Sequence, residues 1–365
     1  MRRPRVKPEH TPHRFDDGTV RIGGEIYGIA AEITDRDGWV WDALTRMDGT
    51  TSPEAIEEQL VAEHPRLGPE GVRRLLRDLL DSGYVEDAAV GPPDGLTDTE
   101  IERYSRNRAY FRRVDLRPDS NPWKTQQRLT CARVAVLGVG GAGSHAAWAL
   151  AAAGVGSLHL VDPDSVEVSN LTRQVLYGEA DLGRPKAEAA AERLTSLDSA
   201  GTFTYDVGMV DTEDGLRDLV SGCDAFALCA DEPRNDLIAK MTSRVCAALG
   251  VPWASAGYNG PLVTVGVYGP HGPCFECVGA GEEAKLKPGW YPDLGGVGVL
   301  APAAGISGQL VAHEIVALLT GTNRSAPGYV RGLNLIAPDQ LVDVRHPARP
   351  DCPLCNRDPA AEVIP

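Results

Sequence analysis

The sequence predicts an α/β protein with a doubly wound, mostly parallel sheet, preceded by a small winged-helix-like α+β domain. Three observations carry that expectation. From Ala132 onward, strand and helix patterns alternate: "RVAVLGV", "SHAAWALAAAG", "SLHLVD", "PKAEAAAERLTSL", then "CDAFALCA", "NDLIAKMTSRVCAALG" and "PWASAG". Alternation of this kind builds a parallel sheet with helices on both faces. A glycine-rich turn, "GVGGAGS", joins the first strand of the series to its helix, the Rossmann-like arrangement. The first part of the chain reads differently, and "AAVGPPDGLTDTE", rich in Pro, Gly and Asp, separates it from the rest. The expected organisation is a domain at 1–90, a linker at 91–102 and a second domain at 103–365.

The basic opening "MRRPRVKP" lacks the apolar core of a signal peptide and reads as a short disordered tail. "TVRIGG" and "EIYGIAAEI" read as strands. Three helical patterns follow. "RDGWVWDALTRM" places Trp39, Val40, Leu44 and Met47 at near-helical spacing. "TSPEAIEEQLVAEH" opens with Thr51 and Glu54 as a capping box and Pro53 in the first turn. "GPEGVRRLLRDLLDSGYVED" puts Val72, Leu75, Leu76, Leu79 and Leu80 on one face, and Gly83 ends it. After the linker, Thr99 and Glu102 suggest a second capping box.

Several classes of function are disfavoured. The net charge of −15 argues against nucleic acid as the partner. No apolar run reaches the roughly 18 residues a membrane span needs. The chain is expected to be cytoplasmic.

Gly138, Gly140, Gly141 and Gly143 let backbone approach a phosphate at a helix start, where free N–H groups and the positive dipole end favour anions. Asp162, closing the next strand, suits ribose hydroxyls. These features fit a redox dinucleotide as well as ATP. The text beyond them favours ATP. "SNLTRQ" supplies Asn170, Arg173 and Gln174, "GRPK" supplies Lys186, and "CADE" places Asp231 after a later strand. Arg173 and Lys186 can offset charge on departing phosphates, and Asp231 can hold Mg2+.

"RYSRN", "GVGGAGS", "DPDSVEVSNLTRQ", "GRPK" and "CADE" together resemble the ThiF/MoeB/HesA adenylyltransferases, relatives of ubiquitin-activating enzymes. The resemblance covers about residues 100–357. It implies Mg2+-dependent ATP binding and attack of a carboxylate on the α-phosphate. It gives Asp162 to the ribose, Asn170, Arg173 and Lys186 to the phosphates, and Asp231 to magnesium. Arg106 would reach the ATP of a partner subunit, which implies a homodimer. Asp164 and Glu232 are further acids near the site.

Cys274/Cys277 and Cys352/Cys355 form two C-x-x-C pairs, a set suited to a closed, structural Zn2+ site. Two disulfides are the alternative. Cys131, Cys223, Cys229 and Cys246 read as core residues. No cysteine falls between Cys277 and Cys352, where thiamin-type and ubiquitin-type relatives often carry a reactive one. The chemistry is therefore expected to stop at an acyl-adenylate or at direct capture by a nucleophile. The stretch 281–297 is a candidate crossover loop, with an ordinary surface loop as the alternative.

"WDALTRMDGTTSPEAIEEQL…GVRRLLRDLLDSGYVED" resembles the PqqD-like elements that bind leader peptides of ribosomally made, modified peptides. In that family the leader adds a strand beside the third helix, here Glu25–Ile33 beside Gly71–Tyr84. The combination most resembles the microcin C and pantocin types of peptide-modifying enzyme. The expected function is ATP-dependent adenylation of a precursor peptide. One alternative is an adenylyltransferase for a ubiquitin-like sulfur carrier. Another is a non-catalytic leader-binding scaffold for a cyclodehydratase.

Overall fold

The computed structural model describes residues 1–25, 28–118, 120–233, 236–288 and 298–356. The chain divides into two compact units, Met1–Gln127 and Arg128–Pro365.

In the first unit, β1 (Pro4–Val6) pairs antiparallel with β5 (Val85–Asp87). A second sheet runs in the order β2 (His13–Arg14), β3 (Thr19–Ile22), β4 (Ala31–Thr34), leaving β4 on an edge. Three helices follow β4: α1 (Trp39–Arg46), α2 (Pro53–Glu63) and α3 (Gly68–Asp81). Val20 and Ile22 of β3 pack with Ala43, Leu44, Ile56, Leu60, Val72, Leu76 and Leu79 in one apolar core. Beyond β5 come α4 (Asp98–Arg103), α5 (Ser105–Val114) and α6 (Pro122–Cys131).

Several sequence expectations need correction here. The opening residues are not a disordered tail. Arg5 pairs with Glu86 at 2.6 Å, and Lys7 is fully buried, donating to the Asp115 carbonyl at 2.8 Å and to Ser120 Oγ at 3.2 Å. Burial pulls the Lys7 pKa down, against the pull of Asp115, Glu86 and Glu9. The cap of α2 is Ser52, whose hydroxyl accepts from the Ala55 N–H, not Thr51 with Glu54. The capping box of α4 is Thr97 with Glu100, not Thr99 with Glu102. The strand expected over Glu25–Ile33 is β4, which starts at Ala31, and residues 26–27 lie outside the described ones. The third helix runs three residues earlier than expected at each end, and Gly83 follows it at φ +78°.

The second unit holds an eight-stranded sheet in the order β13-β12-β11-β10-β9-β6-β7-β8. Its parallel part comprises β6 (Arg133–Leu137), β7 (Ser157–Val161), β8 (Thr202–Asp206), β9 (Ala225–Leu228) and β10 (Trp253–Asn259). Read from β8, their order is third, second, first, fourth, fifth, so the winding reverses between β6 and β9. β11 (Leu262–Tyr268), β12 (Tyr329–Asn334) and β13 (Ala337–Arg345) extend the sheet antiparallel. The helices of this unit are α7 (Gly141–Ala152), α8 (Lys186–Leu197), α9 (Glu213–Val220), α10 (Leu237–Leu249), α11 (Phe275–Glu283) and α12 (Ala301–Thr320).

α12 revises the expectation that no segment has the length and composition of a membrane span. It is long and apolar enough, yet more than half of it is buried against protein. It packs on α7 through Gly308, where a Cβ would meet the Ala142 carbonyl at 2.2 Å. It also carries Ser307, Glu314 and Thr320 into the interior, which suits a core helix. Of the stretch 281–297, the first three residues end α11, and 289–297 lie outside the described residues.

Candidate active site

Ligands of open α/β sheets bind beyond the carboxyl ends of the strands where the winding reverses. Gly138 follows β6 and Cys229–Asp231 follows β9, so both border that point. A cleft of about 620 Å3 opens there, lined by Gly138, Gly140, Gly141, Asp162, Arg173, Lys186 and Asp231 among others. Seven of the residues proposed from sequence thus share one cavity. Gly143, Asn170 and Arg106 do not line it.

The glycines act differently. Gly138 has φ +85°, and a Cβ on it would meet the Ala230 nitrogen at 2.7 Å. It lets the turn pass against the end of β9. A Cβ on Gly143 would lie 1.9 Å from the Gly138 carbonyl oxygen, so Gly143 lets α7 seat on the turn. Gly140 and Gly141 face the cleft at the start of α7.

Asp162, 4% exposed, accepts from the Val139 N–H at 2.7 Å and the Asp164 N–H at 2.9 Å. Burial raises its pKa, opposed by these two bonds and by Lys186. Lys186 opens α8, is 6% exposed, and donates from Nζ to Asp164 Oδ2 at 2.8 Å. Asn170 is buried and accepts from the Glu167 N–H at 2.9 Å, and its carbonyl accepts from the N–H groups of Arg173 and Gln174. It shapes the turn that presents those two residues. Asp231 is exposed, with no hydrogen-bond or ion-pair partner among the described residues. Arg106 is exposed on α5 in the first unit.

Sequence reasoning missed several lining residues: Tyr258, Met209, Val210 and Cys229; Gln174, singled out in sequence without a role, also lines the cleft. Two of the four lone cysteines also differ from expectation. Cys131 is exposed, and Cys229 borders the cleft, though burial pushes its thiol up to about 12. His145 of α7 was also missed. Its Nε2 lies 3.2 Å from the Arg173 carbonyl, so that nitrogen must carry the proton. Burial lowers the His145 pKa, against the hydrogen bond to Arg173. The neighbouring Ser144 hydroxyl accepts from the Val175 N–H at 3.3 Å. Two successive residues of α7 therefore hold the segment on either side of Gln174.

The four paired cysteines come together away from the cleft. Cys274 Sγ lies 3.7 Å from Cys352 Sγ, and Cys277 Sγ lies 3.7 Å from Cys355 Sγ, with all four sulfurs within 4.8 Å of one another. Those spacings exceed a disulfide bond of about 2.05 Å. They match the edge of a tetrahedron with metal–sulfur bonds of about 2.3 Å, so the set fits Zn2+. The N–H groups of Cys274 and Arg349 point at Cys355 and Cys277 sulfurs, 3.3 Å each, an arrangement that favours thiolates.

Comparison with known proteins agrees with this geometry. The ThiF family model matches residues 104–354. The chain is 33% identical to the molybdopterin-synthase adenylyltransferase of Salmonella typhimurium over 267 residues, covering 72% of this chain and 99% of that one. It is 35% identical over 276 residues to the mouse adenylyltransferase and sulfurtransferase MOCS3, covering 74% of this chain and only 56% of that protein's length. In fold it is similar to E. coli MccB, with a TM-score of 0.78, 21% identity and 97% of each chain covered. MccB, described as a microcin C7 biosynthetic enzyme, has also been solved with N-formylated MccA and with ATP. With the glycine turn, Asp162, Arg173, Lys186 and Asp231 gathered at one cleft and the match spanning most of its length, this chain belongs to the ThiF family and is an enzyme of the adenylyltransferase class.

Proposed function

We propose that the chain activates a carboxylate or amide of a ribosomally made precursor peptide by ATP-dependent adenylation, with the leader held by the N-terminal unit. The carrying observation is the convergence of Gly140, Gly141, Asp162, Arg173, Lys186 and Asp231 on one cleft at the winding reversal. Each Asp162 oxygen accepts one backbone N–H and keeps capacity for a ribose hydroxyl. The start of α7 receives phosphate oxygens. Arg173 and Lys186 offset charge on the triphosphate, and Asp164 keeps Lys186 in place. Asp231, without a hydrogen-bond or ion-pair partner among the described residues, is suited to hold Mg2+, which binds through one or two carboxylates plus phosphates. Bound there, the ion supplies charge neutralisation to the pyrophosphate. The substrate oxygen forms a bond to the α-phosphorus, the bond from that phosphorus to the bridging oxygen breaks, and pyrophosphate leaves with the electron pair. Arg106 is assigned to the ATP of the partner subunit in a homodimer.

Two observations favour a peptide over a sulfur-carrier protein. Likeness in fold to MccB extends over 97% of this chain, including the first unit, whereas the sequence match to the molybdopterin-synthase adenylyltransferase from Salmonella covers 72%. The first unit also offers a free strand edge. The Asp35 N–H bonds the Gly18 carbonyl at 2.8 Å. By alternation Ile33 and Ala31 pair with β3, and Glu32 and Thr34 turn their N–H and C=O groups outward. A leader strand adds along that edge. The test is incubation of the purified protein with Mg2+, ATP and small peptides encoded beside its gene, measuring pyrophosphate and product mass. Adenylated or further modified peptide supports the reading. Turnover only with a ubiquitin-like sulfur carrier overturns it in favour of that alternative.

A further inference from the structure

Gln174 is 5% exposed and lines the nucleotide cleft. Its Oε1 is buried without a partner, and neither end of the amide has a hydrogen bond among the described residues. A buried amide whose oxygen lacks a partner is costly and uncommon in a folded protein; that oxygen is an acceptor, so it is the Nε2 end that can meet an anion. This one is also held deliberately. Its backbone N–H bonds the Asn170 carbonyl at 3.0 Å, and His145 and Ser144 clamp the residues on either side. The donor end points over the glycine turn: Nε2 lies 3.7 Å from where a Cβ on Gly140 would sit. Two further groups crowd the same niche. Arg173 Nε, also buried and unpaired, lies 3.7 Å from the equivalent point on Gly141, and the Tyr258 hydroxyl lies 3.0 Å from it. Donors converging on two bare glycines at a helix start describe a pocket for one anionic group.

We propose that Gln174 is a binding and catalytic residue whose Nε2 donates to a non-bridging oxygen of the nucleotide's α-phosphate, the phosphorus that is attacked. The proposal rests on the adenylating reading above and adds a residue to it. The negative charge on that oxygen grows as the attacking oxygen closes in, so a fixed donor there stabilises the transition state more than the ground state.

The test compares Gln174→Met, similar in shape but unable to hydrogen-bond, with the wild-type chain. Calorimetry with ATP, AMP and adenosine reads the α-phosphate separately from the nucleoside. The expected result is about a tenfold loss of affinity for ATP and for AMP and none for adenosine. The melting temperature without nucleotide should be unchanged or higher, because an unpaired buried amide has been removed. Gln174→Asn, which stays polar but falls short, should show the same loss for ATP and AMP. Equal affinities in both variants and wild type would overturn the proposal. So would a loss that includes adenosine, or a fall in melting temperature of Gln174→Met, which would make Gln174 a structural residue. Failure of the wild-type chain to bind ATP would instead count against the adenylating reading itself.

Discussion

The nucleotide cleft and the joint between α12 and β12 are both buried polar places in the second unit, and they are completed in opposite ways. At the joint, Glu314 is 1% exposed and accepts from the Tyr329 hydroxyl at 2.9 Å and from Asn323 at 3.4 Å, while Arg331 forms an ion pair with its other oxygen. Asn323 in turn donates to the Tyr329 hydroxyl at 2.8 Å. Each member faces a hydrogen-bond partner or an opposite charge inside the protein, although Glu314 Oε1 and Arg331 Nε meet only as an ion pair, without hydrogen-bond geometry. In the cleft, Gln174 Oε1 and Arg173 Nε have none. Buried groups that satisfy one another hold the fold, and removing one leaves the rest exposed to the full cost of desolvation. A group that lacks a partner and also lines a cleft is open to something that arrives, and removing it is expected to cost binding before it costs stability.

The largest expected effect lies at the cysteine cluster, which is complete only with a cation. Purified protein should carry about one zinc per chain by elemental mass spectrometry. Cys352→Ser should lower that content and the melting temperature, or leave the chain unfolded. Metal-free protein with unchanged melting would remove the cluster from the stabilising side of the comparison. Next, Glu314→Ala should destabilise the chain by about 3 kcal/mol in denaturant unfolding, a figure reduced for the partial exposure of Arg331. ATP affinity should stay at the wild-type value. If ATP binding fell in step with stability, the two regions would not be separable in this way. Arg173→Ala should behave in reverse, with turnover on peptide down at least tenfold, about 1.5–3 kcal/mol in the transition state, and melting nearly unchanged. The smallest effect concerns the first unit. Glu32→Pro removes one outward N–H from the edge of β4 and should weaken leader-peptide affinity by about fivefold, with no effect on ATP binding. Ile33→Pro, aimed inward, should instead destabilise the sheet.

Much of the cleft is readable in the amino-acid order because its chemistry needs residue types at set distances. The glycines must lie between a strand and a helix, Asp162 must end the next strand, and Lys186 must open the helix after it. The four cysteines are readable for the same reason. Gln174 is different. It stands in the same motif as Arg173, but that its amide lacks a partner is a property of three-dimensional packing. α12 escaped because small residues such as Ala303, Ala304, Ser307 and Gly308 form its contact face, and they leave little hydrophobic periodicity. The opening residues look like a tail in sequence because the partners of Arg5 and Lys7, Glu86 and Asp115, lie far along the chain. Capping positions moved by one or two residues because Ser, Thr and Pro in sequence offer several chemically equivalent starts.

The contact between Gly143 and Gly138 bears on how tolerance to mutation should be read in this chain. Any side chain at 143 drives a carbon into the carbonyl oxygen of the turn, so even alanine there must push α7 away from the end of β6. In a saturation survey scored by growth or product, position 143 would fall among the most sensitive of all, beside Arg173 and Lys186. Yet it does not line the cleft. Scoring the same library for soluble, folded protein would pull the two groups apart, with variants at 143 lost from both screens and variants at 173 lost from only one. Sensitivity alone therefore maps the seams of this fold as readily as its chemistry.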